Sequence, residues 1–234
     1  LRFLGLGVWL AGVAACGGPD DPARRSEGAR PEGAPAVAAP APVRERRPQI
    51  VILGDSLTAG LGLDQQFSYP ALIQKRLDGL GLSYEVVNAG VSGDTSAGGL
   101  RRIDWALEGT PKVLVVALGG NDGLRGIPPA DLRRNLAAMI ERGQARGAAV
   151  ILAGMEAPPN NGPEYTAAFR AVYVDLAREY RVPLIPFLLD GVAGDPSMNQ
   201  ADGIHPNRTG AARLAETVWA ALEPIVAGPP AGGR

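Results

Sequence analysis

From Gln49 onward, short β-branched apolar runs alternate with amphipathic stretches, and that alternation leaves very few architectures open. The runs occupy residues 50–53, 84–87, 113–118, 150–152 and 184–187. Polar positions scarcely interrupt them, as expected of strands buried on both faces of a sheet. Between them apolar residues recur at helical spacing. Leu72, Ile73, Leu77 and Leu80 follow a Ser68-Tyr69-Pro70 start, with Ser68 a candidate N-cap and Pro70 in the first turn. Leu100, Ile103 and Leu107 form a second face, ending at Gly109. Leu132, Leu136, Met139 and Ile140 form a third, ending near Gly143 or Gly147. Phe169, Val172, Tyr173 and Leu176 follow Pro163, and Leu214, Val218, Leu222 and Ile225 close the pattern. Strand–helix alternation through five strands predicts a parallel sheet with right-handed crossovers and helices on both faces. The expected fold is thus a flavodoxin-like three-layer α/β sandwich with a five-stranded parallel sheet. Pro186 has no N–H to give to a ladder, so the last strand is expected at an edge.

That domain is expected over residues 48–226, with a flexible tail at 227–234. The segment before it reads differently. Arg2 precedes an apolar run from Phe3 to Ala15, long enough for the core of a signal peptide and too short to span a bilayer. The run ends in Val13-Ala14-Ala15-Cys16, which resembles the lipobox of bacterial lipoproteins. The resemblance implies a signal peptide at 1–16 and lipidation of Cys16. A plain secretory peptide, or a buried apolar helix with an incidental cysteine, is the alternative. Gly17, where an Asp would signal inner-membrane retention, points by the same resemblance to the outer membrane, facing the periplasm. Residues 17–47 then carry 4 Gly, 6 Pro and 7 Ala, with Val37 and Val43 as the only other aliphatic side chains. So little apolar surface cannot offset the entropy of ordering, and a disordered tether is expected.

Composition narrows the function. Twenty-three basic against 24 acidic residues leave no basic field for a phosphate backbone, so nucleic-acid binding is disfavoured. One cysteine excludes an intrachain disulfide and a Cys-based zinc site, and one histidine excludes a multi-His metal site.

Ligands in open parallel sheets bind beyond the carboxyl ends of the strands, and the unusual residues of this chain sit in those loops. The first run is followed by Gly54-Asp55-Ser56-Leu57 and the second by Asn88-Ala89-Gly90-Val91-Ser92-Gly93-Asp94-Thr95-Ser96. Gly119-Gly120-Asn121-Asp122-Gly123-Leu124 follows the third, and Asp202-Gly203-Ile204-His205-Pro206-Asn207 lies past the fifth. Singly, each has an ordinary reading as a turn or a helix cap. Together they place a hydroxyl, a histidine, a carboxylate, glycine amides and a side-chain amide at one end of the sheet. These are the parts needed for acyl transfer: nucleophile, base, orienting acid and oxyanion donors.

With these four blocks in order, the chain resembles the SGNH, or GDSL-type, hydrolases over about residues 49–226. It is most similar to the bacterial thioesterase/protease I/lysophospholipase and arylesterase branch. The resemblance implies Ser56 as nucleophile, His205 as base and Asp202 as the carboxylate that orients it. Gly93 and the Asn121 side chain, with the Ser56 N–H, would form the oxyanion hole; Gly90 is the competing glycine nearby. Spacing of i, i+3 puts Asp202 within a turn of His205, so a hydrogen bond to Nδ1–H is geometrically easy. The loop around Met155, Ala157 and Pro158 is expected to shape the acyl pocket, and Ala157 departs from the bulkier residue common in that branch.

Other hydrolase and nucleotide signatures are absent. A G-x-S-x-G elbow would need glycine where Thr58 stands, and no phosphate-binding glycine motif follows the first run. The expected activity is hydrolysis of aryl or acyl esters, thioesters or lysophospholipids, without metal, organic cofactor or required protein partner. A carbohydrate O-acetyl esterase and a non-catalytic surface-binding lipoprotein on the same scaffold are the competing readings.

Overall fold

A computed structural model describes residues 47–228. The expected signal peptide, Cys16, residues 17–46 of the expected tether and residues 229–234 lie outside the described residues.

Five strands form one parallel sheet: β1 (Gln49–Gly54), β2 (Glu85–Gly90), β3 (Pro111–Ala117), β4 (Ala149–Ala153) and β5 (Leu184–Ile185), in the order β2-β1-β3-β4-β5. Register is set by pairs such as Ile50 with Val86, Ile50 with Val113, Leu114 with Val150 and Leu152 with Leu184. The expected five-stranded flavodoxin-like order is therefore present. β5 lies at one edge, as expected, and is only two residues long, because Pro186 cannot continue the ladder. β2 runs further than its apolar residues suggest. Asn88, Ala89 and Gly90 stay in the ladder opposite Ile52, Leu53 and Gly54, where a loop was expected. The polar Asn88 side chain is tolerated because its Nδ2 donates to the Thr58 carbonyl at 2.9 Å and its Oδ1 accepts from the Gly90 N–H at 3.0 Å.

Helices α1 (Ser56–Ala59), α2 (Tyr69–Gly79), α3 (Ser96–Ala106), α4 (Gly120–Leu124), α5 (Pro129–Ala145), α6 (Pro163–Tyr180) and α7 (Arg208–Val226) complete the fold. α3, α5 and α6 pack side by side, and α2 packs on α7, as right-handed crossovers on two faces require. Pro70 lies in the first turn of α2, but Ser68 does not cap it; its hydroxyl donates instead to the Gln65 carbonyl at 2.8 Å. Asn207 does cap α7, accepting from the N–H groups of Thr209 and Gly210. Ile50, Ile52, Leu53, Leu114, Val115 and Val116 are fully buried between the helical layers, together with Ile73, Leu77, Ile103, Leu136 and Leu176. Each such side chain contributes roughly 1.5–3 kcal/mol relative to exposure. This packing holds the carboxyl ends of β1, β2 and β3 in fixed positions beside one another.

Candidate active site

Ser56 is the first residue of α1, which starts one residue beyond β1. Asp55 caps the helix by accepting from the Leu57 N–H at 3.0 Å, and Gly60, with φ of 75°, ends it. α1 lies directly on the strand ends. A Cβ added at Gly90 would come within 2.2 Å of the Ala59 nitrogen, so glycine is what lets helix and strand approach. Thr58 anchors the other side, its hydroxyl 2.7 Å from the buried Tyr69 hydroxyl.

His205 comes from the loop before α7. Its Nδ1 lies 2.7 Å from Asp202 Oδ2, and its Nε2 lies 3.0 Å from Ser56 Oγ. Asp202 Oδ1 accepts from the backbone N–H groups of Ile204 at 2.9 Å and His205 at 3.0 Å. Those N–H bonds, and then the imidazole, hold the Asp202 carboxyl down at about 2. An ionised carboxylate accepts only, so it fixes the proton on Nδ1 and leaves Nε2 to accept from the Ser56 hydroxyl. A hydroxyl in this arrangement can lose its proton as it attacks a carbonyl.

Two backbone donors of this region are left open. Among the described residues, neither the Ser56 N–H nor the Gly93 N–H has a hydrogen-bond partner. Gly93 adopts φ of 84°, a conformation that side-chain-bearing residues rarely take. Gly90 is different, since its N–H is already engaged by Asn88 Oδ1. Asn121 stands on α4, where its Nδ2 donates to the Asp94 carbonyl at 2.9 Å and lies 3.4 Å from Asp55 Oδ2. One of its two protons is thus firmly held, and the other meets only a long contact.

Three polar residues of this region escaped the sequence reading as more than turn or helix residues. Asp55 is 2% exposed, and burial pushes its carboxyl up to about 6 against the pull of the Leu57 N–H and the His205 charge. The G-D-S block contained it, but nothing in the pattern announced its burial. Asp122 is fully buried and accepts from both the N–H and the hydroxyl of Ser96, which also receives Asn135 Nδ2. This locks α4 onto α3 and α5. Arg102 ties strand ends to the Gly93 loop and had no signal at all.

Beside Ser56 a cleft of about 210 Å³ is lined by Leu57, Leu124, Met155, Pro158, Leu189 and Ile204, with Asn121 and His205 at one wall. Met155 and Pro158, from the loop after β4, are among its lining residues. Ala157 does not line the cleft: it lies over Gly123, where an added Cβ would come within 3.3 Å, and Glu156 takes its place. The backbone turns Ala157 inward there, so its small size serves packing on α4. A broader depression of about 850 Å³ between β5 and α7 contains none of these residues. Among the described residues, no cluster of three or more His, Cys, Asp or Glu side chains is placed to hold a metal, and no helix is long and apolar enough to cross a membrane.

The model of the GDSL-like Lipase/Acylhydrolase family matches residues 52–213. Esterase TesA of Pseudomonas aeruginosa is 50% identical over 178 residues, covering 76% of this chain and 89% of TesA. Thioesterase 1/protease 1/lysophospholipase L1 of Escherichia coli K12 is 39% identical over the same length, covering 76% and 84%. A crystal structure of TesA superposes with a TM-score of 0.73, covering 76% of this chain and 99% of that one. A hydroxyl–imidazole–carboxylate array at the strand ends, and likeness of this extent, make the chain a member of the GDSL-like lipase and acylhydrolase family, the SGNH hydrolases, and a serine ester hydrolase.

Proposed function

We propose that Ser56 is the nucleophile, His205 its general base and Asp202 the carboxylate that orients the imidazole. The observation that carries this reading is the continuous chain from Asp202 Oδ2 through His205 to Ser56 Oγ, with links of 2.7 and 3.0 Å, opening on the apolar cleft. Ser56 Oγ attacks the acyl carbonyl while His205 Nε2 takes its proton. The oxyanion that forms is received by the N–H groups of Ser56 and Gly93 and by the second Nδ2 proton of Asn121. His205 then protonates the leaving alcohol or thiol, and a water deprotonated by the same imidazole releases the acid. Each oxyanion donor is worth about 3–4 kcal/mol, or roughly 10²–10³ in rate.

The substrates that suit the cleft are esters with an apolar acyl or aryl part. Leu124 and Ile204, at its rim, are half exposed, as are Leu61 and Val91 on loops at the same end of the sheet. Long acyl chains of thioesters or lysophospholipids would lie against this surface, and relatives carry thioesterase, lysophospholipase and arylesterase names. Attachment to the cell envelope through a lipid on Cys16, with the tether carrying the domain into the periplasm, belongs to the same proposal. It is supported by the Val13-Ala14-Ala15-Cys16 sequence.

An acyl-chain-length series on aryl esters, acyl thioesters and lysophospholipids, run beside a Ser56→Ala control, tests the substrate reading. Rates that rise with chain length beyond acetyl, and vanish in the control, support it. Faster release of acetate from acetylated glycans than from any of these would move the substrate class to carbohydrate O-acetyl esters.

A further inference from the structure

The carbonyls at the carboxyl end of a parallel sheet need donors once the ladder stops. In this chain one side chain answers two of them. Arg102, on α3, donates from Nη1 to the Ala89 carbonyl at 2.7 Å, near the end of β2, and from Nη2 to the Gly54 carbonyl at 2.8 Å, the end of β1. Its Nε donates to Asp94 Oδ2 at 2.7 Å. Both side chains are largely buried, at 16% and 17% exposed. The Asp94 carboxylate has little room to move, since a Cβ at Gly98 would come within 2.4 Å of its Oδ1.

Asp94 is also where the two donors assigned to the oxyanion beside Ser56, Gly93 and Asn121, meet. Its main chain follows Gly93, whose N–H is open, and its carbonyl receives Asn121 Nδ2 at 2.9 Å. The turn that aims the Gly93 N–H closes on Val91 through the Asp94 N–H at 3.1 Å, and Val91 in turn donates to the same Gly54 carbonyl that Arg102 holds. Resting on the oxyanion reading above, we infer that Arg102, acting through Asp94, is a positioning residue that sets Gly93 and Asn121 in register with each other and with Ser56. A guanidinium suits the task because its planar fork reaches three acceptors in fixed directions, whereas an ammonium is a single point of charge. The bracket touches no substrate atom. Its effect is on where charge is received in the transition state, so its loss lowers kcat more than it raises KM.

The sole histidine supplies an internal control. Carbethoxylation of His205 by diethylpyrocarbonate needs an accessible, unprotonated imidazole but no oxyanion hole, whereas phosphonylation of Ser56 needs both. The full chain is compared as wild type, Arg102→Met, Arg102→Lys, Asp94→Asn, Asn121→Ala and Arg102→Met/Asn121→Ala, each first checked for a cooperative melt. Arg102→Met should lower kcat and the phosphonylation rate about 10–100-fold. KM should stay within threefold and the carbethoxylation rate within twofold. Arg102→Lys should recover part of the loss, and the loss should shrink severalfold in the Asn121→Ala background, because a donor already removed cannot be misplaced and only the Gly93 N–H is left to lose its register. If Arg102→Met does not fold, Asp94→Asn, which weakens only the Nε bond, carries the same comparison. Full additivity with Asn121→Ala, or equal losses of phosphonylation and carbethoxylation, would overturn the inference and make Arg102 a brace of the fold. Should Asn121→Ala itself leave kcat unchanged, the oxyanion assignment fails instead.

Discussion

Asp55 stands one residue before the nucleophile, buried and without a cationic partner, and this should be visible as a pH-dependent stability cost. Its carboxyl is raised from 3.8 to about 6, first by desolvation. The folded state therefore holds this proton more tightly than the unfolded chain does. Below about pH 3 both states are protonated and Asp55 costs nothing. As pH rises through 4 to 6 the unfolded chain releases its proton while the folded state resists, so stability falls, and the loss is complete above the folded-state value. A rise of about 2 units corresponds to about 3 kcal/mol at 1.36 kcal/mol per unit. Asp55→Asn removes the charge and keeps an oxygen to accept from the Leu57 N–H. Its amide replaces Oδ2 beside Asn121 Nδ2, which sets donor against donor and costs roughly 1 kcal/mol at every pH. The stability of Asp55→Asn relative to wild type should thus climb by about 3 kcal/mol between pH 3 and pH 7.5, from slightly below wild type to above it. Urea unfolding followed by tryptophan fluorescence at a series of pH values measures this directly. A difference that stays flat within 0.5 kcal/mol (about a sixth of the expected change), or that runs the other way, would refute the argument from burial.

Asp202→Asn should lower kcat by roughly 10²–10⁴, with its acid side chain no longer fixing the imidazole tautomer; a pH–rate profile of wild type should show no loss from Asp202 protonation down to about pH 4, since its carboxyl titrates at about 2. Gly90→Ala should destabilise by about 1–3 kcal/mol in thermal or urea unfolding, because the new methyl meets the Ala59 backbone and α1 must move. Cys16→Ser should abolish lipid labelling and release the protein from the membrane fraction; a mature N-terminus beyond position 16 without lipid would contradict the anchor.

The sheet was legible because runs such as 50–53 and 113–118 are apolar on both faces, a pattern that only a doubly covered strand explains. Convergence of Asp202 on His205 was legible for a local reason, the i, i+3 spacing. What the pattern hid were polar residues whose partners lie far along the chain. Asn88 reads as a loop residue until Thr58, 30 positions earlier, is seen to take its amide. Arg102 reads as one more solvated helix charge, yet its partners include a carbonyl 48 positions away. α1 and α4 are too short for any periodicity to show. The family resemblance places Ala157 at the pocket with the rest of its loop, and only the path of the backbone over Gly123 turns it away.

Ser56 as the nucleophile is tested most directly by reaction with an alkyl 4-nitrophenyl phosphonate ester, followed by intact-mass measurement and peptide mapping. One phosphonyl group per chain should appear on the peptide carrying Ser56, in step with loss of esterase activity. No adduct should form on Ser56→Ala, and its rate should fall at least 10³-fold while its melting remains that of wild type. An adduct on any other residue, fully labelled protein that still turns over, or a Ser56→Ala variant with near-wild-type rates would contradict it.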